Sequence, residues 1–104
     1  MSKNEIIDIA KKYQKHLQES GVPVETMYIF GSQIKGTAHA WSDIDIAVVS
    51  RYLSEKYTEG RFLLRKLRRD IDLRIEPHGF TPEDWADHAN PMSYEIKKTG
   101  LQVA

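Results

Sequence analysis

Gly31-Ser32, ten further residues, and then Asp43-Ile44-Asp45-Ile46-Ala47-Val48-Val49 form the stretch from which the fold is read. From Asp43 to Val49 the residues alternate: Ile44, Ile46 and Val48 fall on one face, Asp43, Asp45 and Ala47 on the other. That period of two predicts a β-strand with two carboxylates on the same side. Mg²⁺ takes oxygen ligands at about 2.0–2.1 Å and completes its shell with water and substrate phosphates, so a bare pair of aspartates suits it. An Asp-x-Asp also marks the solvent face of an ordinary edge strand, and only its surroundings separate the two readings.

Upstream, Val24 to Phe30 is β-branched, aromatic or aliphatic and predicts a first strand ended by Gly31-Ser32. Glycine lets a backbone approach a phosphate with no Cβ in the way, and a helix start after it offers free N–H groups and the serine hydroxyl. Gly31 and Ser32 are therefore candidate phosphate-binding residues, with a short helix or helical turn over 33–40; a plain strand-ending turn is the competing reading. The glycine spacing of Gly31-x-x-x-x-Gly36-Thr37 matches a P-loop, but the lysine that should follow the second glycine is absent and Lys35 precedes it. A P-loop is excluded. Earlier still, Ser2 and Glu5 form a capping-box pattern, and Ile6, Ile9, Ala10, Tyr13 and Leu17 recur at helical spacing, predicting a helix over 4–20 before Gly21-Val22-Pro23.

Downstream, the polar, tyrosine-containing run from Ser50 to Gly60 reads as a loop. Phe62, Leu63, Leu64, Leu67 and Ile71 then make the apolar stripe of a helix whose other face carries Arg61, Arg65, Lys66, Arg68 and Arg69. Asp70 to Glu76 alternates again, with Ile71, Leu73 and Ile75 opposed to Asp70, Asp72, Arg74 and Glu76, and Pro77 closes this third strand. Beside the second strand, Asp72 would bring a third carboxylate to the metal ions and deprotonate an attacking hydroxyl in a two-metal site. Asp70 competes for that role, and pairing of Asp72 with Arg74 is the structural alternative. Thr81-Pro82 and Asn90-Pro91 each set a capping side chain before a proline, predicting two short terminal helices with Gly100 as a stop. The order α, β, short α, β, α, β, α, α is that of a single small α/β domain.

Composition narrows the chemistry. With 104 residues, 40% hydrophobic and 29% charged, the chain has room for one thin core, and help from a partner is expected. Fifteen basic residues balance fifteen acidic ones, so no global field favours nucleic acid or an anionic membrane. The absence of cysteine excludes disulfides, thiolate zinc sites and a cysteine nucleophile. No apolar run approaches the roughly 20 residues of a membrane span, and a cytoplasmic location is expected. His16, His39, His78 and His88 lack metal-ligand spacing and are assigned to the surface or to local hydrogen bonds. Trp41 and Trp85 read first as packing residues, with stacking on a base the alternative for Trp41.

Gly31-Ser32, the ten-residue spacer and Asp43-x-Asp45 running into Ile46-Ala47-Val48-Val49 resemble the signature of the DNA polymerase β-type nucleotidyltransferase superfamily, in particular its minimal nucleotidyltransferase (MNT) branch. The resemblance extends over nearly the whole chain, including Asp72-Leu73. It implies the nucleotidyltransferase fold, a small mixed β-sheet flanked by helices. It also implies Mg²⁺-dependent transfer of a nucleotidyl group, AMP from ATP in the simplest case, to a hydroxyl. Asp43 and Asp45 would be metal ligands, Asp72 the third ligand or base, Gly31 and Ser32 triphosphate contacts, and Lys35 a weaker phosphate contact. Short members of this branch resemble antitoxins whose partner is an all-helical HEPN protein with ribonuclease character. Some place AMP on a partner tyrosine, and others act by binding; both modes, and assembly with further copies of the chain, stay open at this stage.

Overall fold

The computed structural model describes residues 1–39 and 42–104, so Trp41 lies outside the described residues. The chain opens with α1 (Lys3–Glu19), started by the expected capping box: Ser2 Oγ accepts from the Glu5 amide at 3.1 Å, and Glu5 Oε1 accepts from the Ser2 amide at 3.4 Å. Strands β1 (Thr26–Phe30) and β2 (Ile44–Val49) are separated by the four-residue helix α2 (Ser32–Lys35). That helix is shorter than the 33–40 expected because Gly36 takes a left-handed conformation and ends it. Two short terminal helices, α5 (Pro82–Ala86) and α6 (Pro91–Thr99), start as expected at Thr81 and Asn90.

Two expectations are corrected. Residues 50–60 are not a loop: α3 (Tyr52–Glu55) and α4 (Tyr57–Leu67) occupy the stretch, with Leu53 buried as the apolar anchor of an otherwise polar sequence. The third strand does not span Asp70–Glu76. Arg68–Asp70 is a 3₁₀ turn, the Ile71 and Asp72 amides both bond back to the Arg68 carbonyl, and β3 runs Ile75–Phe80. Pro77 therefore lies inside β3, which is tolerated because β3 is an edge strand. Gly100 ends α6 as expected, and the chain then adds an unforeseen β4 (Leu101–Gln102) to the far edge of β1.

The sheet order is β3-β2-β1-β4, with β1 antiparallel to both β2 and β4, and β2 parallel to β3. This mixed sheet is the α/β arrangement expected. Ile44, Ile46 and Val48 of β2 pack with Met27, Ile29 and Ile75 under the apolar stripe of α1 (Ile6, Ala10, Tyr13, Leu17) and under Leu53, Leu64 and Leu67. The opposite face carries a smaller cluster of Ala47, Val49, Phe80, Trp85 and Ile96 under α5 and α6. No described helix is long and apolar enough to cross a membrane.

Tyr13 joins α1 to α4: its fully buried hydroxyl donates to the Leu64 carbonyl at 2.7 Å, and burial pushes the phenol well above its ordinary pKa. Tyr13→Phe should lower stability by about 1 kcal/mol, read from the urea midpoint, because one buried hydrogen bond is lost while the ring packing is kept.

Candidate functional site

The lightly covered face of the sheet holds two of the predicted carboxylates, Asp43 and Asp45. Asp45, in central strand β2, lies in register with Phe30 on one side and Glu76 on the other. Asp43 is exposed one residue before the strand, and β alternation puts it on the same side as Asp45. Immediately after Phe30, Gly31 adopts φ 79° and ψ −154°, a region open essentially to glycine alone. A Cβ built at Gly31 would collide with the Asp45 Oδ2 oxygen, so the absence of a side chain is what lets the turn touch this carboxylate. Ser32 then begins α2, and Gln33 Nε2 donates to the Ser42 carbonyl at 3.3 Å, tying the turn to the segment that enters β2.

Asp45 is held from the other side by His78 of β3, whose Nε2 lies 3.1 Å from Oδ1. The His78 ring meets Phe30 edge-on, with centroids 5.0 Å apart and planes at 62°. Lys35 is exposed in the last turn of α2, beside an open groove lined by Phe30, Gly31, Met92, Ile96 and Thr99.

The structure therefore brings Gly31, Ser32, Asp43 and Asp45 to one end of the sheet, and it does not bring Asp72 there. Asp72 sits in the turn before β3, where its carboxylate accepts from the Arg74 amide at 2.9 Å, Nε at 3.0 Å and Nη2 at 2.7 Å. Those bonds, the guanidinium's first, hold its pKa below the ordinary carboxylate value. The carboxylate that stands beside Asp45 in the sheet is Glu76, which also receives Arg65 Nη1 at 3.2 Å. Asp70, the other candidate, pairs with His16 at 2.8 Å away from the site. Sequence reasoning placed Glu76 on the right face without singling it out, and it assigned His78 only to local hydrogen bonding; the strand register was the missing signal. Among the described residues no three His, Asp or Glu side chains converge into a ready-made metal cluster. The donor set of Asp43, Asp45 and Glu76 on one face is all oxygen, which fits Mg²⁺, and Gly31 leaves the Asp45 carboxylate open to the adjoining turn.

Comparison with known proteins places the fold. Residues 4–101 match the family model described as polymerase beta, nucleotidyltransferase. A protein from Sulfolobus solfataricus, solved as a candidate nucleotidyltransferase, superposes with a TM-score of 0.64 at 21% identity, over 94% of this chain and 78% of that one. A toxin-antitoxin structure with AMP-PNP gives 0.63 at 22% identity, over 94% and 72%. A further candidate nucleotidyltransferase gives 0.53 at 23%, over 91% and 92%. No curated protein matches the sequence.

Two outcomes follow from this geometry. Gly31→Ala should cost at least about 1–3 kcal/mol, measured by chemical denaturation, because backbone strain and the clash with Asp45 act together. The Asp72 ion pair is a depressed-pKa case: its contribution is fully present above the ordinary carboxylate value near about 4 and is lost as pH falls from there through the lower value Asp72 has in the fold. Thermal unfolding of Arg74→Ala across that range should show a shallower acid decline than the parent protein.

Proposed function

This chain belongs to the polymerase β nucleotidyltransferase family, and we propose that it transfers a nucleotidyl group, AMP from ATP in the first instance, to a hydroxyl on a partner protein. The observation that carries the reading is the contact of Gly31 with the Asp45 carboxylate, a glycine-only backbone turn set against a carboxylate at the open end of the sheet. In this reading Gly31 and Ser32 bind the triphosphate through backbone N–H and hydroxyl donors, with Lys35 at the outer end of α2. Asp43 and Asp45 hold Mg²⁺, with Glu76 as the third carboxylate in the position first given to Asp72. Bound Mg²⁺ would neutralise the phosphates and stabilise charge on the reacting phosphoryl group. Glu76 takes the acceptor's proton as the hydroxyl oxygen bonds to the α-phosphorus, and the α–β bridging bond breaks to release pyrophosphate.

The partner is read as the toxin half of a two-protein module, a HEPN-type helical protein, with this chain as antitoxin. Support comes from the likeness in fold to a toxin-antitoxin structure. A second reading, neutralisation by binding alone, is favoured by one surface. On α4, Phe62 is 70% exposed among Arg61, Arg65, Lys66 and Arg69, an apolar anchor in a basic rim that suits an acidic protein partner.

Labelled ATP, Mg²⁺ and the protein encoded beside this one test the two readings together. Asp45→Asn and Glu76→Gln should each cut label transfer by about a hundredfold or more, the scale of losing one charge-stabilising group, whereas Asp72→Asn should stay near the parent rate. Equal transfer by the parent and Asp45→Asn would sink the catalytic reading. Toxin neutralisation that survives Asp45→Asn but fails on Phe62→Glu would establish the binding one.

A further inference from the structure

We propose that His78 is a positioning residue for Asp45, fixing the carboxylate in the orientation in which it meets a divalent cation and its nucleotide. The inference rests on the nucleotidyltransferase reading above and adds to it a residue outside the carboxylate set.

An aspartate carboxylate turns easily about its last torsion, which has only a broad two-fold preference. At Asp45 both oxygens have a fixed environment. Oδ1 lies 3.1 Å from His78 Nε2, and Oδ2 faces the bare Cα of Gly31. The imidazole is itself held. It meets Phe30 edge-on with centroids 5.0 Å apart, and Phe30 is the residue in register with Asp45 on β1. Beside His78 in register on β2 stands Ala47, whose single methyl leaves the ring room to lean toward Asp45. Three strands thus each supply one residue of the unit: Phe30 from β1, Asp45 from β2 and His78 from β3.

Its half-exposed setting argues that this pair matters for orientation more than for stability. The two side chains are 29% and 27% exposed, and ion pairs or hydrogen bonds so open to water add little to folding. Partners that donate to a metal-binding side chain orient it, and their loss typically weakens metal affinity by about 10–100-fold.

Mn²⁺ titration followed by electron paramagnetic resonance, in the presence of a non-hydrolysable ATP analogue, reads this without turnover. His78→Phe keeps a ring against Phe30 and removes the donor; His78→Gln places an amide N–H near the Nε2 position. We expect His78→Phe to bind Mn²⁺ about 10–100-fold more weakly at an unchanged melting temperature, and His78→Gln to return to within a few-fold of the parent. Parent-like affinity in His78→Phe, or equally weak affinity in both variants, overturns the proposal. So does a loss of affinity that merely follows unfolding of both variants, which assigns His78 to packing. The reading of the site fails separately. If the parent protein binds no Mn²⁺ with the analogue, or Asp45→Asn binds as well as the parent, the nucleotidyltransferase assignment falls and His78 with it. Loss in Asp45→Asn with no change in His78→Phe removes His78 alone.

Discussion

Ile44, Ile46 and Val48 are wholly removed from solvent beneath α1 and α4, and this burial fixes which way β2 faces. Because strand side chains alternate, sealing those three against the helices obliges Asp45, Ala47 and Val49 to point to the opposite side. A slip of one residue would drive Asp45 into the apolar core, at the desolvation cost of a buried carboxylate. The neighbours inherit the same constraint. Pairing of β1 sets Phe30 beside Asp45, so Gly31 follows at the carboxylate, and parallel pairing of β3 sets Glu76 and His78 on the same face.

The two faces of the sheet are covered unequally, and the site lies where cover is thinnest. One face has the full length of α1 and α4. The other, among the described residues, has α5 and α6, whose packing through Trp85 and Ile96 reaches Ala47, Val49 and Phe80. Those helices are kept in place by local devices: Thr81 and Asn90 cap them, proline occupies their first turns, and Lys97 Nζ lies 5.0 Å over the Trp85 ring. Cover stops short of Asp45, which leaves its carboxylate partly exposed.

Much of this could be read from the sequence because it is written in short-range patterns. The alternation of β2, the capping box at Ser2, the proline-initiated helices and the Gly31-Ser32 turn each depend on residues within a few positions of one another. What escaped depends on distant partners. The polar stretch around Tyr52 is helical because Leu53 finds a place in the core, and the two-residue β4 exists only because β1 has a free edge. Ile71, Leu73 and Ile75 imitate a strand in sequence, yet Leu73 is 66% exposed, and Arg68 turns the chain by donating to the Leu73 and Ile75 carbonyls.

That misplaced strand explains why a polar face beside Asp45 was legible while the residue standing there was not. The carboxylate in register with Asp45 is Glu76 and not Asp72, a displacement of four positions, and an even displacement conserves the face in a structure with a period of two. A polar face opposite an apolar one was therefore correctly inferred, and with it a further carboxylate beside Asp45. What separates the two acids is how each is satisfied. Asp72 bonds to both the backbone and the guanidinium of a residue two positions on, a local closure typical of a turn. Glu76 reaches its arginine across to α4, and its backbone belongs to the ladder that carries Asp45. An acid bound by its own turn is committed to the fold, whereas one whose position is set by the sheet register stands beside Asp45 however its side chain is paired.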